Sequence, residues 1–144
     1  MTGMPSPPIR LAIGLLLRRS HRRAAEALDE ALRPLGLTGR HFGVMMLLDR
    51  EQVSTQRDLI RATGSDKAGM TRTIADLQKL GHVRRERSTE DRRLEYLSLT
   101  DSGRSAFATA RALTGAAAAR LFDGFSDEEL DTLARLLRRF ADGS

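Results

Sequence analysis

Residues 84–93 read RRERSTEDRR, five arginines interleaved with three acids. A guanidinium offers five donors in a fixed fork, so arginines in a short exposed run suit bidentate contact with phosphates or with guanine edges. Of the chain's 24 basic residues only Lys67 and Lys79 are lysines, the formal net charge is +5, and the sequence pI is about 10.8. That balance favours an anionic partner, although a GC-rich genome enriches arginine with no function attached. The placement of the arginines has to decide between the two.

Other chemistries fail on inventory. The chain has no cysteine, which removes disulfides, thiolate zinc sites and thiol redox sensing together. His21, His41 and His82 have no carboxylate at metal-ligand spacing, and no glycine-rich phosphate loop follows a strand, so no enzyme, metal or cofactor is expected. Asp127, Glu128 and Glu129 fall at a helix start, where they complement the dipole without any catalytic role. A lone tyrosine, Tyr96, and no tryptophan argue against a stacking platform for single strands. The apolar run at 11–17 meets Arg18 and Arg19, too short to span a membrane. It also lacks a strong basic leader and a cleavage site, so a cytoplasmic protein without a membrane partner is expected.

These residues need elements to hold them, and the 144-residue length is that of one domain. Residues 1–8 carry three of the four prolines and read as a loose arm. From Ile9 to Arg33 the pattern is helical, with Ala24, Leu28, Ala31 and Leu35 on one stripe, and Pro34 and Gly36 end it. Thr38 caps a second helix whose buried face is Phe42, Met45, Met46 and Leu48. Thr55 and Asp58 form a capping box for a short third helix ending at Gly64. Ser65 or Asp66 caps a fourth helix, to about Leu80, with Met70, Ile74 and Leu77 inward and Ser65, Ala68, Arg72 and Lys79 outward. After Gly81 the period becomes two, giving strands HVRRER and RLEYLSLT joined by STED. Thr100 caps a long helix to about Phe122, and SDEE at 126–129 opens a last helix with Leu130, Leu133, Leu137 and Phe140 on one stripe. The fold class is therefore mainly α (α+β): a winged helix-turn-helix over 36–100 between helical segments at 9–35 and 101–144. Both ends hold more apolar stripe than so thin a core can cover, which points to a partner, most simply a second copy of the chain.

With its elements in this order, the chain resembles the MarR family of winged helix-turn-helix transcriptional regulators along nearly its whole length. The stretches that carry the resemblance are GLTGRHFGVMMLL (36–48), STQRDLIRATG (54–64), DKAGMTRTIADLQKLGHVRR (66–85) and DRRLEYLSLTDSG (91–103). The last is the most specific: Asp91, Arg93, Leu97, Leu99, Thr100 and Gly103 follow the family's wing pattern. Two departures stand out. Gly69 occupies a position where such proteins commonly have Ser or Thr, and no cysteine is available for the peroxide-sensing branch.

The resemblance implies a homodimeric DNA-binding regulator, a repressor of a pseudo-palindromic operator on double-stranded DNA, released by a small aromatic or anionic effector. The fourth helix would enter the major groove, with Lys67 and Arg72 on phosphate or guanine, Ser65 and Thr71 on the backbone, and Ala68 and Gly69 allowing close approach. Arg92 at the wing tip would enter an A/T-rich minor groove, Arg85 and Arg87 would track phosphates, and Asp91 would hold Arg93 or Arg72. Leu15, Leu16, Leu28, Leu113, Ala117, Leu121, Leu130, Leu133, Leu137 and Phe140 are the expected dimer contacts; an intramolecular core is the other reading, and the two are not exclusive in an intertwined dimer. His21, His41 and Met45 are the candidates for an effector cleft. The alternatives are a winged-helix adaptor that binds protein instead of DNA, and non-specific architectural DNA binding.

Overall fold

The computed structural model describes residues 8–143, so the proline-bearing arm expected at 1–8 lies almost wholly outside the described residues. The element order is α1 (Ile9–Leu32), a 3-10 turn (Arg33–Leu35), α2 (Gly39–Glu51), α3 (Gln56–Thr63), α4 (Lys67–Lys79), β1 (Val83–Arg87), β2 (Glu95–Leu99), α5 (Asp101–Leu121) and α6 (Asp127–Ala141). The chain thus has the expected mainly helical winged helix-turn-helix architecture, with long helices on either side of it. No described helix is long and apolar enough to cross a membrane.

Local chemistry fixes most boundaries. Thr55 and Asp58 exchange hydrogen bonds at the start of α3, and Ser126 and Glu129 do so at α6. Of the two candidates for capping α4 it is Asp66, whose Oδ1 accepts the Gly69 N–H at 2.6 Å. At α2 the cap is unusual: the Thr38 N–H donates to His41 Nδ1 at 2.9 Å, and Asp29 of α1 accepts the Gly39 N–H at 2.7 Å.

The core lies where α2, α4 and the hairpin meet, with Leu37, Val44, Met45, Leu48, Leu59, Met70, Ile74, Leu77, Leu97 and Leu99 all buried. Burying each such side chain stabilises the fold by about 1.5–3 kcal/mol. One expected core residue is misplaced: Met46 is exposed, and Val44 and His41 take the inward positions on α2. The run VMMLL contains no polar residue to phase it, and the turn of α2 beginning at His41 sets which side chains point in. Phe42 stacks on Phe107 with ring centroids 5.4 Å apart, joining α2 to α5, and α1 lies along α5. Ala117, one of the expected dimer contacts, is buried there within the single chain, in the α1–α5 packing.

The β1–β2 hairpin is antiparallel, with Val83 opposite Leu99, Arg85 opposite Leu97 and Arg87 opposite Glu95. A third segment, missed by the sequence pattern, pairs with it: the Ser54 and Leu97 backbones exchange hydrogen bonds of 3.1 and 2.7 Å. The chain reaches that bridge through Gln52, which adopts φ 71°, ψ −53°, with the Val53 N–H closing on the Glu51 carbonyl at 2.9 Å. This is a strained γ-turn in a region L-residues seldom occupy.

One junction ties the hairpin to everything else. Thr100 Oγ1 donates to the Gly81 carbonyl at 2.6 Å and accepts the Gly103 N–H at 2.9 Å, while the Thr100 N–H donates to the His82 carbonyl at 3.0 Å. Gly81, at φ 81°, makes the turn from α4 into β1. A Cβ on Gly103 would sit 2.0 Å from the His82 oxygen, so only glycine lets α5 start this close to that turn.

Gly103→Ala is therefore expected to destabilise the chain by about 1–3 kcal/mol or more in urea unfolding, and Ser102→Ala next to it by under about 0.5 kcal/mol. Equal stability of the two variants would contradict the close approach. Gln52→Gly is expected to raise stability by about 1 kcal/mol by relieving the positive φ; a loss would mean that the γ-turn is not strained.

Candidate nucleic-acid interface

Helix α4 is built so that three of its sides are occupied and one is not. Met70, Thr73, Ile74 and Leu77 are buried against the core. A quarter-turn to one side, Thr71 Oγ1 accepts a hydrogen bond from Gln56 Nε2 of α3 at 2.8 Å, and Gln78 Oε1 accepts one from Arg85 of β1 at 3.4 Å. A quarter-turn to the other side, the Asp76 carboxylate meets His41 Nε2 of α2 at 2.9 Å. Because His41 Nδ1 accepts from the Thr38 N–H, the ring proton belongs on Nε2, where it donates to Asp76. At about 100° per residue, the fourth side carries Ala68, Arg72, Ala75 and Lys79. All four are exposed, and neither Arg72 nor Lys79 has an ion-pair partner among the described residues. The helix is fixed by polar contacts from its neighbours and offers a narrow outer face of small and basic side chains. Lys67 opens the helix and Lys79 closes it.

Ser65 is half-buried just before the cap, and its hydroxyl donates to the Asp66 carbonyl at 3.2 Å. Thr71 is exposed with its oxygen engaged by Gln56, which leaves the hydroxyl proton free to donate outward. Gly69 is half-buried on the flank that faces α2.

The wing is held from inside. Ser88 Oγ accepts the N–H groups of Glu90 and Asp91, both at 3.1 Å. Asp91 Oδ1 accepts the backbone N–H of Arg93 at 3.0 Å and its Nε at 3.1 Å, and Oδ2 takes Nη2 at 3.3 Å. Of the two partners left open for Asp91, it is Arg93 and not Arg72. These bonds, first the Arg93 side chain and then its backbone, hold the Asp91 carboxyl below its ordinary value. Arg87 Nη1 donates to the Arg92 carbonyl at 2.6 Å, closing the loop and leaving the Arg92 side chain exposed at the tip with no partner among the described residues.

Two arginines differ from expectation. Odd positions of β1 share a face with Leu97 and Leu99, so Arg85 turns inward over the base of the wing. Its side chain is only 30% exposed and is held by Gln78 and by Glu95 at 3.8 Å. Arg87 lies on that same face and braces the turn. The outward positions are Arg84 and Glu86, which pair with each other at 3.2 Å.

The expected effector trio is not brought together. His21 is exposed on α1, Met45 is fully buried in the core, and His41 is buried with both ring nitrogens engaged. What does open beside α2 is a groove of about 440 Å³ lined by Asp49, Arg104, Phe107, Ala108, Arg111 and Ala112. Sequence reasoning missed it because its residues are spread along α5, where apolar and basic positions read as an ordinary amphipathic helix.

Residues 35–94, which span α2 to the wing turn, match the MarR family model. A MarR-family transcriptional regulator from Rhodococcus sp. RHA1 superposes with a TM-score of 0.88 at 27% identity, over 96% of this chain and 99% of that one. Over residues 35–94 the chain matches the MarR family, and over nearly its whole length it has the fold of MarR-family transcriptional regulators. The proteins it resembles are transcriptional regulators. A mutant of MarR from E. coli complexed with operator DNA superposes with a TM-score of 0.82 at 25% identity, over 94% of this chain and 99% of that one. CouR from Rhodococcus jostii RHA1 bound to p-coumaroyl-CoA does so at 0.83 and 28% identity, over 94% and 96%.

The depressed Asp91 group sets the pH behaviour of the wing. A carboxyl lowered in the folded state contributes order that is fully present above the ordinary aspartate value and is lost as pH falls through its folded value. Amide protection factors of residues 88–94, that is, exchange rates relative to those of an unstructured peptide at the same pH, should therefore be unchanged from pH 8 to about 5 and fall only below the ordinary aspartate value of about 3.9. Asp91→Asn should show the low protection already at pH 7. A wing as protected in that variant as in the wild type would remove Asp91 as its brace.

Proposed function

We propose that this chain is a transcriptional regulator, a homodimeric repressor that binds a pseudo-palindromic operator in double-stranded DNA and is released by a small molecule. The observation that carries the reading is the outer face of α4. It is held on three sides and presents Ala68, Arg72, Ala75 and Lys79 outward, beside a wing whose tip arginine is free. Lys67, Arg72, Ser65 and Thr71 would meet backbone and base edges in the major groove, with Ala68 and Gly69 permitting close approach. Arg92 would enter the adjoining minor groove, Asp91 and Arg93 would hold the wing, and Arg85 and Arg87 would act chiefly by bracing it. The operator complex of E. coli MarR supports this assignment by likeness of fold.

The dimer is supported by what the single chain leaves uncovered. In α6 no residue is buried, and Phe140 and Leu137 are 68% and 41% exposed; Leu15 of α1 is 66% exposed. Segments 9–35 and 101–144 are accordingly the proposed dimerisation region, with Leu15, Leu16, Leu28, Leu113, Leu121, Leu130, Leu133, Leu137 and Phe140 at the contact and 36–100 the DNA-binding part. For the effector, the groove on α5 replaces the histidines: Phe107, Ala108 and Ala112 give an apolar floor, and Arg104 and Arg111 give cationic edges. That suits an aromatic anion, and CouR bound to p-coumaroyl-CoA is a relative with a ligand of that chemistry. Such a ligand releases DNA only through its differential affinity for two arrangements of the dimer.

Binding to a duplex selected from a randomised pool should exceed binding to random DNA by roughly 10³-fold or more at physiological salt. Arg72→Ala should cost about 1–3 kcal/mol of affinity across sequences. Arg92→Ala should weaken binding chiefly where the flanking minor groove is A/T-rich. Equal affinity for selected and random duplexes, measured by fluorescence anisotropy, would overturn the reading. A tight complex with another protein and no salt-dependent DNA binding would favour the adaptor alternative.

A further inference from the structure

Arg40 has so far had no role. It is the second residue of α2, is exposed, and has no hydrogen-bond or ion-pair partner among the described residues. Its neighbour His41 turns back to the Thr38 cap and to Asp76 of α4. Gly69 and Asp76 are seven residues apart on α4, which puts them on one stripe of that helix, the stripe that faces the start of α2. While His41 meets the Asp76 end of the stripe, the Arg40 guanidinium reaches the Gly69 end. A Cβ built on Gly69 would be 3.6 Å from Arg40 Nη1, as well as 3.0 Å from Asp66 Oδ1 and 3.1 Å from Ser65 Oγ. The carboxylates on this side of α4 have other partners: Asp66 accepts the Gly69 N–H, and Asp76 accepts from His41. An exposed cation without a partner among the described residues therefore lies against the recognition-type helix; a bare Cβ at position 69 would just touch it, and a larger side chain would enter its space.

We propose that Arg40 is a DNA-contacting residue that binds a backbone phosphate at the wall of the groove entered by α4, and that Gly69 is the notch through which α2 delivers it. The proposal rests on the DNA-binding reading given above and deepens it. A phosphate is the expected ligand because of where the stripe lies. Gly69 and Asp76 stand about a quarter-turn from the outer face of Ala68, Arg72 and Lys79. An α-helix about 10–12 Å across fills a major groove about 12 Å wide. When the outer face meets base edges, the flanks of the helix meet the sugar-phosphate walls. Side chains that reach DNA from a flank position the helix without reading sequence. On the opposite flank Gln56 of α3 occupies the corresponding place, bonded to Thr71.

The geometry separates this role from a structural one. Arg40 is unpaired and exposed, so its loss should leave the melting temperature unchanged. A threonine at position 69 would carry its hydroxyl and methyl groups beyond the Cβ position, into the space the guanidinium uses.

The test is a set of anisotropy titrations with the full chain, a duplex selected by the wild type from a randomised pool, and a random duplex. Arg40→Ala should weaken both duplexes by the same factor, roughly 10-fold for loss of a charge-assisted contact, and reduce the slope of log affinity against log salt by about 1. Arg40→Lys should recover part of the loss on both. Gly69→Thr should weaken binding by a similar factor in the wild-type background and by much less in the Arg40→Ala background. Ethylation interference should reveal a phosphate whose modification impairs the wild type and not Arg40→Ala. Unchanged affinity of Arg40→Ala, in a wild type that prefers the selected duplex, would overturn this proposal alone. Loss confined to the selected duplex would overturn the phosphate assignment in favour of a base contact. A wild type with no preference between the duplexes would overturn the reading on which the proposal rests.

Discussion

Everything in this chain depends on how closely α5 can start beside the turn that ends α4. Thr100 satisfies three backbone groups at that point, and Gly103 removes the one carbon atom that would keep the two segments apart. Without that approach the hairpin would have no fixed base, because a two-stranded ribbon alone is marginal in water. The same junction joins the end of α4 to the start of α5, so a rotation of α5 has a short, stiff route to α4. The groove on α5 begins at Arg104, whose guanidinium holds the Leu99 carbonyl and Asp101. A ligand there would touch a side chain already bonded to the last residue of the wing.

The second level of organisation is the division of labour among arginines. Charge alone cannot distinguish a brace from a contact, since both look the same in composition. Partners can. Arg85 and Arg93 each have a carboxylate and Arg87 has a carbonyl, whereas Arg72, Arg92 and Arg40 have no such partner among the described residues. Exposed ion pairs of the first kind contribute little to stability, often under about 1 kcal/mol. Their effect is to hold the wing in one shape, so that the tip does not have to be ordered again at each encounter.

What could be read from the sequence follows the range of each interaction. Caps at Thr55, Ser126 and Thr100 are set within three or four residues, so the helix starts were legible, as was the alternation of Leu97 and Leu99. The inward turn of Arg85 was not, because the phase of β1 is set by its pairing with β2 and not by its own alternation of charge. The Ser54 bridge escaped for the same reason: one residue paired with another far along the chain leaves no periodic trace. His41 is the clearest case. A histidine beside a helix start reads as a surface residue or a ligand, and only the folded chain reveals that it caps one helix and holds another. Arg40 was missed with it, since its relation to Gly69 exists only in three dimensions.

The distribution of the two lysines has a practical consequence. Lys67 and Lys79 open and close α4, and every other basic side chain outside the histidines is a guanidinium. All the side-chain primary amines of the described structure are therefore gathered on a single helix. A reagent that acylates amines and spares guanidinium groups would modify side chains on that one helix, so its rate of reaction at Lys67 and Lys79 becomes an occupancy meter for the face of α4 without any engineered label.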